Sequence, residues 1–396
     1  MNKPIPILFD EKKDCCACGA CLNICPKQAI TMVQDEYGFM YPQIDETKCI
    51  RCGLCKTVCS FQNKKETNVP VDAYAAISKD QNILQTSSSG GIFAEIAKYV
   101  LSMNGIVFGA ALQEDFSVRH IKVDSLENLK LLQGSKYTQS NTFQTFKECL
   151  AALKENKLVL FSGTPCQIAG LKGFLRKDYD NLITVDIVCH GVPNNGMLQQ
   201  YLHLQEEKYN CKISDFKFRD KNNGWGINGS ALMNGKKKTI WQSSSSYLYY
   251  FTKGEIYRDS CYSCKYTCKN RPGDITLGDF WGIEKQHSDW IKRKDIDSKK
   301  GISAVISNSE KGSKILKKIN VVKIPSSFEK ISVGNTQLRT PSKCTKRDEL
   351  FELYKENGWS AVEDRYKKNI GIRYYSSQIK SLLPDNLKMA LKKYKK

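Results

Sequence analysis

Apolar and polar positions along the chain follow patterns that predict a body of alternating strands and helices. Five short apolar runs have the length of buried strands, at residues 74–77, 106–111, 118–123, 158–161 and 183–188. Apolar residues also recur at helical spacing over residues 92–101 and 142–153. Because strands and helices alternate, we expect a mixed α/β body with a sizeable core.

The composition is that of an ordinary globular protein. The chain has 396 residues, of which 41% are hydrophobic and 26% charged, and this length predicts two or three domains. No segment approaches the roughly 18 to 20 consecutive apolar residues of a membrane-spanning helix. The start of the chain becomes charged too early to form the apolar core of a signal peptide, so we expect a cytoplasmic protein.

The formal charge of +20 at pH 7 raises the question of a nucleic-acid partner. Only 11 of the 61 basic residues are arginine, the residue that nucleic-acid-binding proteins favour for bidentate contacts. The lysines are dispersed along the chain and do not form a basic stripe interleaved with aromatic residues. We therefore expect no nucleic-acid partner.

The cysteines are grouped, and their spacing predicts metal centres. Nine of the 17 cysteines lie between Cys15 and Cys59, in two runs of the form C-x2-C-x2-C-x3-C. This is the spacing of bacterial ferredoxins that bind two [4Fe-4S] clusters. Small residues such as Gly19 and Gly53 allow the backbone to wrap closely around a cluster. A pair of zinc sites is the alternative, and it fits this spacing poorly.

In such ferredoxins the fourth cysteine of each run points toward the other cluster, which divides the eight ligands into two sets. The first set, called here the proximal cysteine group, is Cys15, Cys18, Cys21 and Cys59. The second set, called the distal cysteine group, is Cys49, Cys52, Cys55 and Cys25. Cys16 is left as a spare thiol. The segments 29–33 and 38–42 predict a hairpin between the two runs.

A serine- and glycine-rich segment, TSSSGG at residues 86–91, directly precedes the predicted helix that starts near Ile92. Hydroxyl groups, free backbone amides and a helix N-terminus together form an anion site able to hold a phosphate. The alternative is a serine N-cap followed by glycine, without a ligand.

Two further loops at predicted strand ends carry cysteines. Cys166 lies in SGTPCQIAGL, where a strand turns into a helix, and is a candidate nucleophile, cluster ligand or buried spectator. Cys189 precedes His190, but adjacent side chains usually point apart, which disfavours a catalytic dyad.

A third cysteine motif, Cys261-x2-Cys264, needs partners from elsewhere in the chain to complete a metal site. With Cys166 and Cys189 these two thiolates are able to hold one further cubane, and Cys268 is the reserve ligand. Three isolated cysteines are interpreted as ordinary thiols: Cys149, Cys211 and Cys344.

Five ordered motifs give the chain its family resemblance: SSSGG at 87–91, GSKY at 134–137, GTPCQIAGL at 163–171, CHGVP at 189–193, and CYSC with GDITLGDFWG over 261–282. Over residues 72–330 these motifs resemble the coenzyme F420 hydrogenase/dehydrogenase beta-subunit family, in which an added N-terminal two-cluster ferredoxin module occurs. Bacterial relatives with the GDFWG loop often accompany enzymes of cell-surface polysaccharide synthesis.

The resemblance implies an iron-sulfur flavoprotein, in which a further [4Fe-4S] cluster lies beside FAD. It implies that the third cluster is bound by Cys166, Cys189, Cys261 and Cys264. It also implies a diphosphate cradle at Ser88, Ser89, Gly90 and Gly91, and a position near the flavin for Lys136. No catalytic residue is assigned.

These patterns together predict a ferredoxin-like two-cluster domain, a mixed α/β flavin and iron-sulfur body and a helical C-terminal tail. The polar segment 62–70 is the predicted linker. The expected divisions are 1–66 for the ferredoxin domain, 72–150 and 151–335 for the two regions of the body, and 336–396 for a basic helical tail. Its end, residues 387–396, has an apolar face opposite lysines, so peripheral membrane association competes with a solvated terminal helix.

Three functions compete. The first is an oxidoreductase that passes electrons between the clusters and FAD and exchanges hydride with a small molecule, either coenzyme F420 or an intermediate of a polysaccharide pathway. The second is an electron-transfer subunit without its own substrate, which serves a partner oxidoreductase. The third, a nucleic-acid-binding iron-sulfur sensor, is disfavoured by the dispersed lysines. We expect a redox partner protein or a small electron carrier.

Overall fold

The computed structural model describes residues 3–63, 67–294, 296–372 and 374. Its strands are β1 (Ile30–Gln34), β2 (Met40–Ile44), β3 (Asp72–Ser78), β4 (Ile106–Leu112), β5 (Val118–Val123), β6 (Val159–Gly163), β7 (Leu182–Ile187), β8 (Ile213–Lys217), β9 (Gly229–Met233), β10 (Lys236–Ile240), β11 (Ile275–Asp279), β12 (Ser303–Ser307) and β13 (Val321–Pro325).

Its α-helices are α1 (Ala20–Ile24), α2 (Leu54–Thr57), α3 (Gln81–Thr86), α4 (Ile92–Ser102), α5 (Leu129–Leu132), α6 (Thr145–Lys154), α7 (Pro165–Leu175), α8 (Asn195–Tyr209), α9 (Ser246–Lys253), α10 (Asp259–Tyr262), α11 (Ile283–Gln286), α12 (Ser288–Ile291), α13 (Glu310–Leu316), α14 (Phe328–Gly334) and α15 (Arg347–Ile370). Short 3-10 turns connect several of them.

An eight-stranded mixed sheet organises the body, in the order β13-β3-β12-β11-β7-β6-β4-β5. The neighbours β4, β6, β7 and β11 run parallel, whereas the strands at both sides of this block pair antiparallel. The predicted mixed α/β fold is therefore confirmed. Parallel strands place their carboxyl ends at one edge of a sheet, so the loops that follow β6, β7 and β11 meet there.

The N-terminal segment packs directly on helix α7. The predicted hairpin is present, since β1 pairs antiparallel with β2. Two glycines of α7 make the close approach possible: a Cβ atom at Gly170 would lie 2.6 Å from the sulfur of Cys18, and one at Gly173 would clash with the carbonyl oxygen of Val58. Val58 and Cys18 belong to one apolar cluster with residues of the body, so the two segments share a core.

A second core forms around the three-stranded sheet β10-β9-β8 and helices α8, α9 and α15. Helix α15 is interrupted at Gly358, whose φ of +67° suits glycine. Trp359 and Tyr366, beyond this break, are almost fully buried. Residues 347–370 of the predicted tail are therefore a packed element, whereas the amphipathic end at 387–396 lies outside the described residues. No helix in the described part of the chain is long and apolar enough to cross a bilayer.

Candidate functional site

The proximal cysteine group surrounds a small internal cavity. Its four members, Cys15, Cys18, Cys21 and Cys59, all line this cavity, together with Cys16 and Cys55. Burial raises the pKa of Cys15 to about 11, and burial likewise raises the pKa values of Cys21 and Cys59. Cys18 differs, because a hydrogen bond from Cys16 lowers its pKa. Iron binds thiolates, so a cluster bound here would displace the protons that burial favours on the other three thiols.

The distal cysteine group lies nearer the surface. Cys25, Cys49, Cys52 and Cys55 line a second cavity with Pro26 and Ile50. Cys52 is exposed, and the Ile50 side chain beside it is 56% exposed. Cys55 lines both cavities, so the two groups adjoin at this residue. The division of the eight cysteines between two clusters stays a prediction.

None of the 17 cysteines forms a disulfide. Within residues 3–63, 67–294, 296–372 and 374, no three His, Cys, Asp or Glu side chains converge on a position for a single metal ion. The four thiolates of a cubane bind four different iron atoms, so they need not converge in this way.

The third set of cysteines meets at the edge of the large sheet. Cys166 follows β6, Cys189 follows β7, and Cys261 lies in α10. All three line one cavity of about 320 Å³. Cys264 does not line it, but its thiol interacts electrostatically with Cys166, Cys189 and Cys261. The four predicted ligands, which span 98 positions of sequence, are therefore brought together. Cys268 also interacts with Cys264, but it does not line the cavity, and its Sγ donates to Asn270 O at 3.1 Å.

Helix α7 begins with a capping box that fixes the position of Cys166. Thr164 caps the helix and Gln167 bonds back to its amide, with Thr164 N donating to Gln167 Oε1 at 3.0 Å. A hydrogen bond from Cys16, together with one from Thr164 and the charge of Arg258, lowers the pKa of Cys166. Cys16, interpreted from the sequence as a spare, therefore bridges the proximal cysteine group and Cys166.

A buried ion pair holds the Cys189 and Cys264 loops together. Arg271 and Asp186 are 1% and 0% exposed, and Arg271 Nη2 lies 2.8 Å from Asp186 Oδ1. Asp186 Oδ1 also accepts from Thr276 at 2.8 Å. The ring of His190 accepts a hydrogen bond from Gln337 Nε2 at 2.9 Å, so His190 is engaged away from Cys189.

The SSSGG segment borders the same cavity. Ser88, Ser89 and Gly91 line it, directly before the N-terminus of α4. Gly90 does not line it. A Cβ atom at Gly90 would lie 2.8 Å from Ser303 N, so a larger residue would not fit there. The role of Gly90 in this loop is the close approach to Ala76 of β3 and Ser303 of β12. The Ser89 hydroxyl donates to Ile302 O at 3.0 Å.

Lys136 also lines the cavity. Its ammonium donates to the carbonyl oxygens of Leu131 at 3.2 Å and Gln133 at 2.7 Å. Burial lowers the pKa of Lys136 to about 7. Next to it, Ser135 N donates to Ser88 Oγ at 2.7 Å, which ties the GSKY motif to the SSSGG segment.

The cavity is electropositive, and this decides which groups fit it. Among the described residues that line it, Asp279 is the single carboxylate, and Arg219 pairs with it through two nitrogens. Arg258 and Lys136 also line the cavity and have no carboxylate within 4.0 Å in the described chain. Arg258 is fully buried, and its Nη2 has no hydrogen-bond partner in the described chain. A buried guanidinium of this kind fits an anionic ligand, such as a thiolate-bound cluster or a diphosphate.

Two residues that line the cavity, Arg258 and His120, were not indicated by any sequence pattern. Arg258 precedes the Cys261 motif but belongs to no recognised pattern. His120 lies in β5, is 4% exposed, and bonds Ser140 Oγ at 2.7 Å and Ser162 O at 2.9 Å. Burial lowers the pKa of His120 to about 4, so the ring is neutral at pH 7.

Comparisons with protein families confirm the resemblance. Residues 14–63 match the model of a 4Fe-4S dicluster domain, and residues 156–324 match that of the C terminus of the coenzyme F420 hydrogenase/dehydrogenase beta subunit. The chain is therefore an iron-sulfur protein related to this family.

The individual proteins that match the chain share limited sequence identity with it. One subunit of the F(420)H(2) dehydrogenase of Methanosarcina mazei is 27% identical over 168 residues, which is 39% of this chain and 46% of that protein. The chain thus spans about half the length of the curated relative it matches. A chain of the F420-reducing [NiFe] hydrogenase complex from Methanosarcina barkeri, solved with xenon derivatization, aligns with a TM-score of 0.45 and 18% identity, over 77% of this chain and 92% of that chain.

Proposed function

We propose that this protein is an iron-sulfur flavoprotein oxidoreductase, in which three [4Fe-4S] clusters connect an electron carrier to FAD. The flavin then exchanges hydride with a small molecule. Bound FAD would supply the conversion between one-electron and two-electron transfer: two electrons and one proton leave as hydride, or enter as hydride in the reverse direction. A reducing, cytoplasmic setting belongs to the proposal because the cysteines must remain thiolates.

The observation that carries the proposal is the position of Cys16. Cys16 lines both the cavity of the proximal cysteine group and the large cavity that Cys166 borders. The exposed Cys52 of the distal group is at the surface, whereas the large cavity lies at the edge of the central sheet. Cys55 lines both the distal and the proximal cavity, as Cys16 lines both the proximal and the large cavity, so the three cavities adjoin one another, which supports an electron path from the surface.

The donor set supports a third cluster in this series. Cys166, Cys189, Cys261 and Cys264 supply four thiolates at one end of the cavity. Soft thiolate ligands favour iron-sulfur clusters over hard cations, and the neighbouring Arg258 offsets the negative charge of a cluster. In this proposal Cys268 is not a ligand.

The other end of the cavity supports FAD. A cavity of about 320 Å³ is within the range of small-molecule sites. Ser88, Ser89 and the start of α4 would bind the diphosphate through hydroxyl and amide groups, while Gly90 keeps the loop close to β12. An anionic flavin beside Lys136 would favour the charged form of this amine, whose pKa burial lowers to about 7. Two of its N–H groups bond carbonyl oxygens.

The substrate of the flavin is proposed only as a class, a hydride donor or acceptor small enough to enter the cavity. Coenzyme F420 is the first candidate, because the name of the Methanosarcina mazei relative includes it. A nicotinamide coenzyme or an intermediate of a polysaccharide pathway is the alternative.

The test is a stepwise redox experiment on the full chain. The anaerobically purified protein is reduced with dithionite, and the flavin and cluster absorbance is followed on addition of F420, NAD⁺ or NADP⁺. Reoxidation of the flavin by one of these within the time of a mixing experiment supports the proposal. Absence of bound flavin, or cluster reduction without flavin reduction, overturns it.

The second candidate function is an electron-transfer subunit that serves a partner oxidoreductase. The exposed Ile50 and Cys52 favour it, because an apolar residue beside a surface cluster is suited to contact with a redox protein. Bound clusters with no small-molecule reoxidation, but rapid reoxidation by an added redox protein, would favour this function.

A further inference from the structure

We infer that Arg258 is the shared positive charge of the proximal cluster and the third cluster, and that it raises the reduction potentials of both. The inference rests on the proposed function, since it requires a third cluster at Cys166. It concerns a residue that no sequence motif of the chain singles out.

The position of Arg258 links the two cysteine groups directly. Its Nε donates to the carbonyl oxygen of Cys15 at 2.8 Å, and its guanidinium lies 4.0 Å from the ring centre of Tyr41 in β2. It also lines the large cavity together with Cys166 and Cys261. Arg258 therefore bonds the loop of the proximal group while it borders the site of the third cluster.

The surroundings of Arg258 leave its charge without a protein counter-ion. The side chain is 0% exposed, its Nη1 donates to the amide oxygen of Gln139 at 3.3 Å, and the remaining nitrogen, Nη2, bonds nothing in the part of the chain that the structure describes. Its neighbour Asp259 pairs with Arg347 at 2.9 Å. A buried, unpaired guanidinium is costly unless an anion is near, and a cluster with four thiolates is such an anion.

The positive charge of Arg258 affects the reduction equilibrium of the nearby clusters. Reduction adds one negative charge to a cluster, and a nearby cation in a low-dielectric interior stabilises the reduced state. Removal of the charge should therefore shift the reduction equilibrium of the proximal and third clusters toward the oxidised form by about tenfold or more. For a one-electron couple, each tenfold shift makes the reduction potential about 59 mV more negative. The distal group, at the surface, should shift little.

The experiment is a redox titration of the full chain, followed by EPR, on the wild type, Arg258→Gln and Arg258→Lys. Arg258→Gln should lower two of the three potentials, and Arg258→Lys should restore most of the shift because it keeps the charge. Gln139→Glu is the second variant: it places a carboxylate beside Nη1 without removing the arginine, so the same two potentials should fall even if Arg258→Gln does not fold.

Arg365→Gln is the matched control, because it also removes one arginine charge, but Arg365 pairs with the exposed Glu349 at 2.6 Å and lines none of the three cysteine cavities. All three potentials should stay at their wild-type values in this variant. Wild-type potentials in a folded Arg258→Gln would overturn the inference, and if Arg258→Gln does not fold, wild-type potentials in Gln139→Glu would overturn it. A wild type with only two clusters would instead overturn the proposed function, so the two failures are distinct.

Discussion

Gly170 of helix α7 lies so close to Cys18 that a Cβ atom at Gly170 would be 2.6 Å from the Cys18 sulfur. This contact joins the body to the proximal cysteine group, and it leaves no room for a methyl group. Helix α7 therefore packs directly against one predicted ligand of the proximal cluster, and Cys166 lies at the start of the same helix.

The first prediction is that Gly170→Ala weakens retention of the proximal cluster. The added methyl group must displace Cys18 or the helix, and overpacking of this kind costs about 1–3 kcal/mol. We expect iron to be lost faster than from the wild type when the anaerobic protein is challenged with a chelator. The control is Gly196→Ala in α8, where a Cβ atom would meet only side-chain atoms, at 3.3 Å. Equal iron loss in both variants would contradict the prediction.

The second prediction concerns acid stability and His120. Its pKa is lowered from 6.5 to about 4 by burial, so below pH 6.5 the unfolded chain binds a proton that the folded protein excludes. Stability should therefore fall as the pH drops from 7.5 toward 4, by roughly 2 kcal/mol at pH 5 from this group. Urea unfolding of the wild type and of His120→Gln, each at pH 7.5 and pH 5, measures the contribution of His120 to the acid-dependent loss of stability. The acid-dependent loss should be smaller in the variant, and an identical loss would refute the role of His120.

The third prediction concerns the buried pair of Arg271 and Asp186. Arg271→Met leaves an unpaired carboxylate at a fully buried site, which typically costs about 3–5 kcal/mol. We expect a correspondingly lower urea midpoint and loss of order in the loop of Cys264. Lys269→Met, which removes the exposed ion pair of Lys269 with Glu329, should cost less than about 1 kcal/mol. Similar costs for both variants would show that burial is not decisive here.

The fourth prediction is that Gly90→Ala weakens flavin binding. A Cβ atom at Gly90 would lie 2.8 Å from Ser303 N and would push the SSSGG segment away from β12. If this displacement costs about 1.4 kcal/mol or more of binding free energy, the affinity for flavin falls at least tenfold. The measurement is the amount of flavin that the protein retains after dilution. Ser102→Ala, at the far end of α4, changes a hydroxyl that bonds only Tyr99 O within the described chain, so it should retain flavin like the wild type.

Much of the body could be predicted because its patterns are local. The apolar run at 118–123 coincides with β5, and the helical spacing at 92–101 lies within α4. The two ferredoxin-type runs hold most of their cysteines within a few residues of each other, so spacing alone locates the two runs. The exchange of Cys25 and Cys59 between the groups comes from the ferredoxin pattern and stays a prediction. Sheet order, by contrast, is a property of the folded chain: β3 pairs with β12 and β13, far along the sequence.

The cavity could be predicted only in part, because its remaining residues are brought together by tertiary contacts. Arg258 and Cys15 bond across 243 positions of sequence, and no periodic pattern signals such a pair. Cys16 was interpreted as a spare because it falls between two ligand positions, yet it lies against Cys166 in the fold. Helix α15 has aromatic residues on several faces, which conceals its place in the core.

The most direct test of the account is the iron and flavin content of the anaerobically purified protein and of Cys166→Ser, with Cys268→Ser as the control. Four irons per cubane predict about twelve iron atoms per chain, with one FAD, in the wild type and in Cys268→Ser. Cys166→Ser should retain only about eight, because the third cluster loses a ligand. A wild type that holds about eight iron atoms and no flavin, or a Cys166→Ser variant that keeps the full wild-type iron content, would contradict the account.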